Sequence, residues 1–252
     1  MSNGYDSSRS GLSVRLAPAY ILHRRPYRDT SLLIEAFTAR HGRVGLVERG
    51  RGRGGAIHQG VVLQPFWPLL LSFSGRGELA TLGSCEPDGP PLPLIGGALL
   101  CGFYLNELLM RLLPRQAPHT SLFHFYHDAL TRLAQHEDEF RVLRLFEVAL
   151  LRELGYGLLL ERDAEKDQPL NPEMRYRYVL DRGPFPTFLE DTCDLAIQGR
   201  TLLELGRGEL SDATARSEAK RLTRAALALH LGNRPLHSRN LYADYLRLSN
   251  NQ

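Results

Sequence analysis

The segment Glu86-Pro87-Asp88-Gly89-Pro90-Pro91-Leu92-Pro93 constrains this chain more than any other. Proline lacks a backbone N–H and fixes φ, so prolines packed this closely exclude both a helix interior and a central strand. The residues on either side differ in period. Before the segment, short apolar runs separated by Gly and Pro turns read as strands. They are Val14 to Leu22, Thr30 to Thr38, Arg43 to Glu48, Val61 to Leu63 with Phe66 to Phe73, and Glu78 to Cys85. Five short strands in about seventy residues suggest a small barrel. After the segment the spacing becomes helical. Leu99, Phe103, Asn106, Leu109 and Met110 recur on one face until Pro114. Further helices are expected over 121–135, over 138–154 with Gly155 at its end, over 211–231 with Ser211 as the cap, and over 241–248. A small hairpin is expected around Asp181-Arg182-Gly183, followed by one or two helices within 187–205.

The expected architecture is α+β: a flexible tail over 1–14, a five-stranded barrel over 15–86, a Pro-rich linker over 87–94 and a larger, mainly helical domain over 95–252. Cys85, Cys101 and Cys193 are widely spaced and form no CxxC pair. That excludes a disulfide framework and a four-cysteine zinc site, and suits a reducing cytoplasm. The longest stretch without charge, 54–75, holds His58, Gln59, Gln64, Pro65 and Pro68, which suit no lipid-facing helix. Met1 to Ser13 has no apolar core for a signal peptide. A cytoplasmic protein with no membrane association is expected.

The formal net charge of +3 conceals a segregation. Between Arg15 and Arg53 stand nine arginines and only three acids, Asp29, Glu35 and Glu48. A local positive field of this kind attracts polyanions. A general preference for Arg over Lys accounts for the residue type, since 29 of the 31 basic residues are Arg. It does not account for the scarcity of acids.

Individual motifs narrow the chemistry. Arg49-Gly50-Arg51-Gly52-Arg53-Gly54-Gly55 lacks the Lys and hydroxyl of a Walker loop and opens no helix. It reads as an arginine loop around a phosphate backbone, or as a solvated loop. Arg24-Arg25-Pro26-Tyr27-Arg28 sets an aromatic among cations, a combination that suits single strands. Tyr27 either stacks on a base or packs its ring on the core. His119, His124, His127 and Asp128 lack a second ligand cluster, so no metal is expected. The chain has no GxSxG, no HExxH and no paired Cys/His, so neither a covalent enzyme nor a cofactor is expected. On the 138–154 helix, Arg141, Arg144 and Arg152 fall within one arc beside apolar positions. That arrangement fits either an acidic peptide with hydrophobic anchors or a solvated face paired with Glu147 and Glu153.

Taken together, these segments resemble the RecO family of recombination mediators. The resemblance runs from Pro26-Tyr27, Asp29 and Ser31 through Phe37-Thr38, His41-Gly42 and Arg49-Gly50 to Leu63-Gln64-Pro65-Phe66. It continues in Phe146-Glu147, Leu150-Leu151 and Leu154-Gly155-Tyr156, and ends in His230-Leu231-Gly232-Asn233-Arg234-Pro235-Leu236-His237-Ser238-Arg239-Asn240-Leu241. It implies an N-terminal OB-fold, a helical domain and a bacterial, nucleoid-associated, non-enzymatic protein of the RecF pathway. It further implies binding of single- and double-stranded DNA, annealing of complementary strands, and loading of RecA together with RecR. The helical domain would receive the acidic C-terminal tail of the single-stranded-DNA-binding protein. Some relatives carry a four-cysteine zinc module after the Leu-Gly-Tyr segment. Here Leu160 to Glu165 holds no cysteine, and no zinc is expected.

The DNA contacts are therefore expected at Arg25, Tyr27, Arg28, Arg43, Arg49, Arg51 and Arg53. The tail contacts are expected at Arg132, Arg141 and Arg144. An OB-fold RNA-binding or translation-associated factor would share the barrel and its charge but not the C-terminal segments.

Overall fold

The computed structural model describes residues 12–49, 63–187, 195–210, 212–232 and 234–249. It divides into two compact units: residues 1–92 with 114–120, and residues 93–113 with 121–252.

In the first unit five strands close into a barrel, the arrangement of an OB-fold. They are β1 (Leu12–Tyr27), β2 (Ser31–Thr38), β3 (Gly42–Glu48), β4 (Leu69–Gly75) and β5 (Leu79–Pro87). The order around the barrel is β1-β2-β3-β5-β4, and β4 returns to pair with β1. All pairings are antiparallel except β3 with β5. The strand period of two places Leu69, Leu71 and Phe73 of β4 inward, where they meet Ile21, Ile34 and Leu46. A long first strand can belong to both edges only by bending, and β1 does so at register shifts between Val14 and Ala17 and between Ile21 and His23. Leu16 takes φ +49° within the first shift and donates its N–H to Ser72 Oγ at 3.1 Å.

The first expected strand thus extends at both ends. Arg24-Arg25-Pro26 is no terminus, because β2 pairs alongside it down to Tyr27 opposite Ser31. Val61 and Val62, part of another expected strand, lie outside the described residues.

Residues 114–120 belong to this barrel unit. Gln116 N–H donates to Arg43 O at 2.9 Å, Gln116 Nε2 to Gly77 O at 2.8 Å, and Thr120 Oγ1 to Ala39 O at 2.9 Å. Gly42 makes the close approach possible. It has φ +63°, and a Cβ there would stand 1.8 Å from Ala117 O.

The second unit holds α1 (Gly96–Leu112), α2 (Thr120–Ala134) and α3 (Glu139–Glu153). A three-stranded antiparallel sheet follows, in the order β7-β6-β8: β6 (Arg175–Val179), β7 (Gly183–Pro186) and β8 (Ala196–Gln198). The chain continues as α4 (Gly199–Arg207), α5 (Ala213–Leu231) and α6 (His237–Ser249). The expected hairpin is present as β6 and β7. Its third strand β8 stands where only helix was expected, next to residues outside the described set. The cap of α5 is Asp212, whose carboxylate accepts from Ala215 N–H at 2.8 Å; Ser211 lies outside the described residues. Tyr176, Tyr178 and Ile197 from the sheet pack with Leu202, Leu205 and Leu222 from the helices. The loop after Leu160 is organised by Asp163, whose carboxylate accepts from the N–H groups of Glu165, Lys166 and Gln168.

Candidate nucleic-acid interface and peptide cleft

The register of the barrel sorts the arginines. Tyr27 lies opposite Ser31 and Leu32 opposite Glu48, so the end of β1, the start of β2 and the end of β3 share one end of the sheet. Arg24, Arg25, Arg28 and Arg49 are all exposed there. None of the four is ion-paired with a carboxylate among the described residues. Residues 23–26 are exposed in succession, so both faces of this ribbon meet solvent. Tyr27 is half-buried, and the Arg28 guanidinium stands 5.2 Å from its ring centroid. Arg28 itself sits at φ +53° in the turn after β1.

Arg43 lies elsewhere. It pairs with Phe37 at the opposite end of β3, about 20 Å from Arg49 at the usual rise per residue. Its guanidinium contacts Glu35 at 3.4 Å with 16% of the side chain exposed. Glu35 is buried and also binds Arg115, which in turn approaches Glu78 at 3.6 Å. Burial lowers the Arg43 pKa, and Glu35 opposes that shift. Arg43 is therefore an ion-paired part of the barrel, not a member of the exposed group. Arg51 and Arg53 lie outside the described residues.

The three arginines expected to hold a peptide are not brought together. Arg141 is exposed and lines neither the cleft that holds Arg132 nor the cleft that holds Arg144. Arg132 lines one cleft and is bound by Asp128 and Glu137. Arg144 lines the other, a cleft of about 230 Å³. It is 5% exposed, a correction to its reading as part of a solvated face. Its Nη2 donates to Glu147 Oε1 at 2.5 Å, and Glu147 is wholly buried. Tyr104 donates to the same oxygen at 2.5 Å, and Arg239 Nη2 donates to Tyr104 Oη at 3.1 Å. Nε and Nη1 of Arg144 are buried without a hydrogen-bond partner.

Lys220 and Arg224 complete the basic side of this cleft, while Phe140, Leu143, Tyr242 and Leu246 supply apolar wall. Burial first, and then the neighbouring cations Arg224, Arg144 and Arg239, lower the Lys220 pKa. Four cations, Arg144, Lys220, Arg224 and Arg239, face two carboxylates here, Glu139 and Glu147. Such a site suits an anionic group carried beside an apolar one. Sequence reasoning missed Tyr104, Lys220, Arg224 and Arg239. The spacing of Arg144 and Glu147, three apart on a helix, is the one local signal of a pair.

Among the described residues no group of three or more His, Cys, Asp or Glu could hold a metal, and no helix is long and apolar enough to cross a membrane. Family models cover both units: Recombination protein O N terminal matches residues 14–90 and Recombination protein O C terminal matches residues 96–240. The chain belongs to the RecO family. It is 48% identical over 239 residues to the DNA repair protein RecO of Nitrosococcus oceani, covering 95% of this chain and 97% of the relative. To the DNA repair protein RecO of Methylococcus capsulatus it is 50% identical over 231 residues, covering 91% and 93%. To that of Coxiella burnetii it is 45% identical over 228 residues, covering 90% and 97%. As a RecO-family chain it is a DNA repair and recombination protein and not an enzyme.

Proposed function

We propose that this RecO-family chain is a bacterial, cytoplasmic recombination mediator. It binds single- and double-stranded DNA, anneals complementary strands, and acts with RecR in loading RecA onto coated single strands. In this reading the barrel over 15–86 and the helical domain over 95–252 are two binding modules, joined through 87–94 and again through 114–120, which packs with the barrel. The observation that carries the DNA reading is the group Arg24, Arg25, Arg28 and Arg49, exposed at one end of the barrel and ion-paired to no carboxylate among the described residues. Cations so placed hold two phosphate backbones near each other while bases find their register, and Tyr27 offers a ring on which a base can stack.

The basic and apolar cleft around Arg144 supports the second part of the reading. There the acidic C-terminal tail of the single-stranded-DNA-binding protein docks, with Arg144 and Arg239 taking carboxylate and Leu143 and Leu246 taking an apolar side chain. Arg132 and Arg141 are at most peripheral to that contact.

The test is the salt dependence of binding. With about four phosphates held, log K on single strands falls with log salt at a slope of about −3. Arg25→Ala with Arg28→Ala removes two contacts and flattens the slope by about 1.4. Arg43→Ala leaves the slope unchanged. A slope that ignores the first pair, or follows Arg43, refutes this interface. Annealing of coated strands should also depend on the coat protein's acidic tail, and annealing that survives its removal refutes the docking step.

A further inference from the structure

The last helix, α6, forms one wall of the Arg144 cleft through Ser238, Arg239, Tyr242 and Leu246. It has little apolar packing to hold it. Leu241 is 55% exposed, Leu246 42% and Leu248 70%. What holds it is polar and comes largely from α1. Glu107 Oε1 accepts from His237 N–H at 3.0 Å, and Oε2 accepts from Ser238 N–H at 2.9 Å and Ser238 Oγ at 2.6 Å. A carboxylate from another helix thus takes the N–H groups that α6 leaves unbonded at its start, where the helix dipole also favours negative charge. One turn further along α1, Arg111 donates to the carbonyls of Leu231 and Arg234 at 2.7 Å and of Pro235 at 3.1 Å. The two side chains grip the α5–α6 connection by its opposite polarities. At the far side, Tyr242 donates to Glu139 at 2.8 Å.

Arg239 follows directly on the residues that Glu107 binds, and it reaches Tyr104 on the same face of α1. We propose that Glu107 is a positioning residue of the cleft: by fixing the start of α6 it holds Arg239 in the same cleft as Arg144, where both line the site for an anionic peptide terminus. The proposal rests on the docking reading above. Burial opposes the ionisation of Glu107, but hydrogen bonds from Ser238 and His237 outweigh it and hold the carboxyl below its usual range, so the clasp stays charged near neutrality.

The experiment uses the full chain and a fluorescent acidic peptide ending in an apolar residue with a free carboxylate. Anisotropy gives Kd for the unmodified chain, Glu107→Ala, Arg239→Ala and the double variant. Arg239→Ala should weaken binding about tenfold. Glu107→Ala should do nearly the same without touching the peptide, and the double variant should bind no worse than Arg239→Ala alone. Hydrogen exchange over residues 237–249 should quicken in Glu107→Ala while α3 keeps its protection. If Glu107→Ala proves unstable, Glu107→Gln replaces it. The amide would keep one acceptor oxygen and lose the other, and should give an intermediate loss. Effects that multiply, or a Glu107 variant that binds like the parent, overturn the positioning role alone. An unmodified chain that does not bind the peptide overturns the docking reading, and the positioning role with it.

Discussion

Replacing Arg144 by Leu should separate two things that a single affinity measurement confounds, stability and recognition. Glu147 is wholly buried and Arg144 nearly so, and their contact is 2.5 Å. Removing one partner of such a pair leaves a buried charge and costs about 3–5 kcal/mol. Removing both, as Arg144→Leu with Glu147→Leu, takes the charge away with its partner. Tyr104 then keeps only Arg239 as a partner, a loss of about 1 kcal/mol, so the double variant should stand within about 2 kcal/mol of the parent. Peptide affinity should follow a different order. Both variants lack the guanidinium, so both should bind an acidic tail about 10- to 100-fold more weakly, equivalent to about 1.5–3 kcal/mol for a charge-assisted hydrogen bond. The assay is urea unfolding read by two probes. The chain has one tryptophan, Trp67, in the barrel unit, so its fluorescence reports that unit while far-ultraviolet circular dichroism reports the helices. The dichroism midpoint should fall in the single variant and recover in the double, while the Trp67 midpoint holds. A double variant as unstable as the single would show that Arg144 does not neutralise Glu147. A double variant that binds peptide normally would remove Arg144 from the site.

Two further outcomes follow from the geometry. Gly42→Ala meets both a left-handed backbone and a carbonyl 1.8 Å from the new Cβ, whereas Gly77→Ala at φ +86° meets nothing within 4 Å. The second should show only left-handed strain of about 1–2 kcal/mol; the first should lower the Trp67 midpoint well beyond that, and equal losses would refute the close approach of residues 114–120. Asp138 accepts two hydrogen bonds from Arg216, chiefly for which reason its pKa lies below the ordinary 3.8. Its contribution is complete above the unfolded value and is lost as pH falls through the lower folded one, so Asp138→Asn should flatten the acid limb of helical-unit stability below about pH 4. An unchanged acid limb would show that the pair contributes nothing to folding.

The elements that could be read from the sequence are those whose pattern is local. Leu69, Leu71 and Phe73 alternate as an inward strand face must, and Pro114 stands just past the end of α1. The residues that escaped are placed by partners far along the chain. Pro26 looks like the end of a strand, but β2, at the far side of a turn, pairs alongside it with Leu32 opposite. The three residues of β8 are too few to show a period, and the structure holds them through β6 and through Gln198 N–H donating to Glu218 at 2.9 Å. Arg144 shares an arc with exposed arginines, yet it is enclosed from α1 by Tyr104, 43 residues from Glu147, and from α6 by Arg239, 135 residues from Tyr104.

Counting charge along the chain treats every arginine alike, and the structure does not. A guanidinium held by a dedicated carboxylate projects little field into solvent, because its opposite charge lies within a few ångström. Arg43 shares the buried Glu35 with Arg115, which also approaches Glu78, and Arg216 with Asp138 is of this kind. Arg24, Arg25, Arg28 and Arg49 are not, nor are Lys220 and Arg224 in the cleft, whose pKa values are depressed by burial and then by neighbouring cations. Arg15 and Arg40 are exposed as well, with no ion pair among the described residues, so the run from Arg15 to Arg53 is not uniform; its densest described part is the cluster Arg24, Arg25, Arg28 and Arg49 where β1 turns into β2. It follows that moving a carboxylate to that end, as Ser31→Glu opposite Tyr27, should weaken DNA binding more than removing Arg43 does, although both change the net charge of the barrel in the same direction.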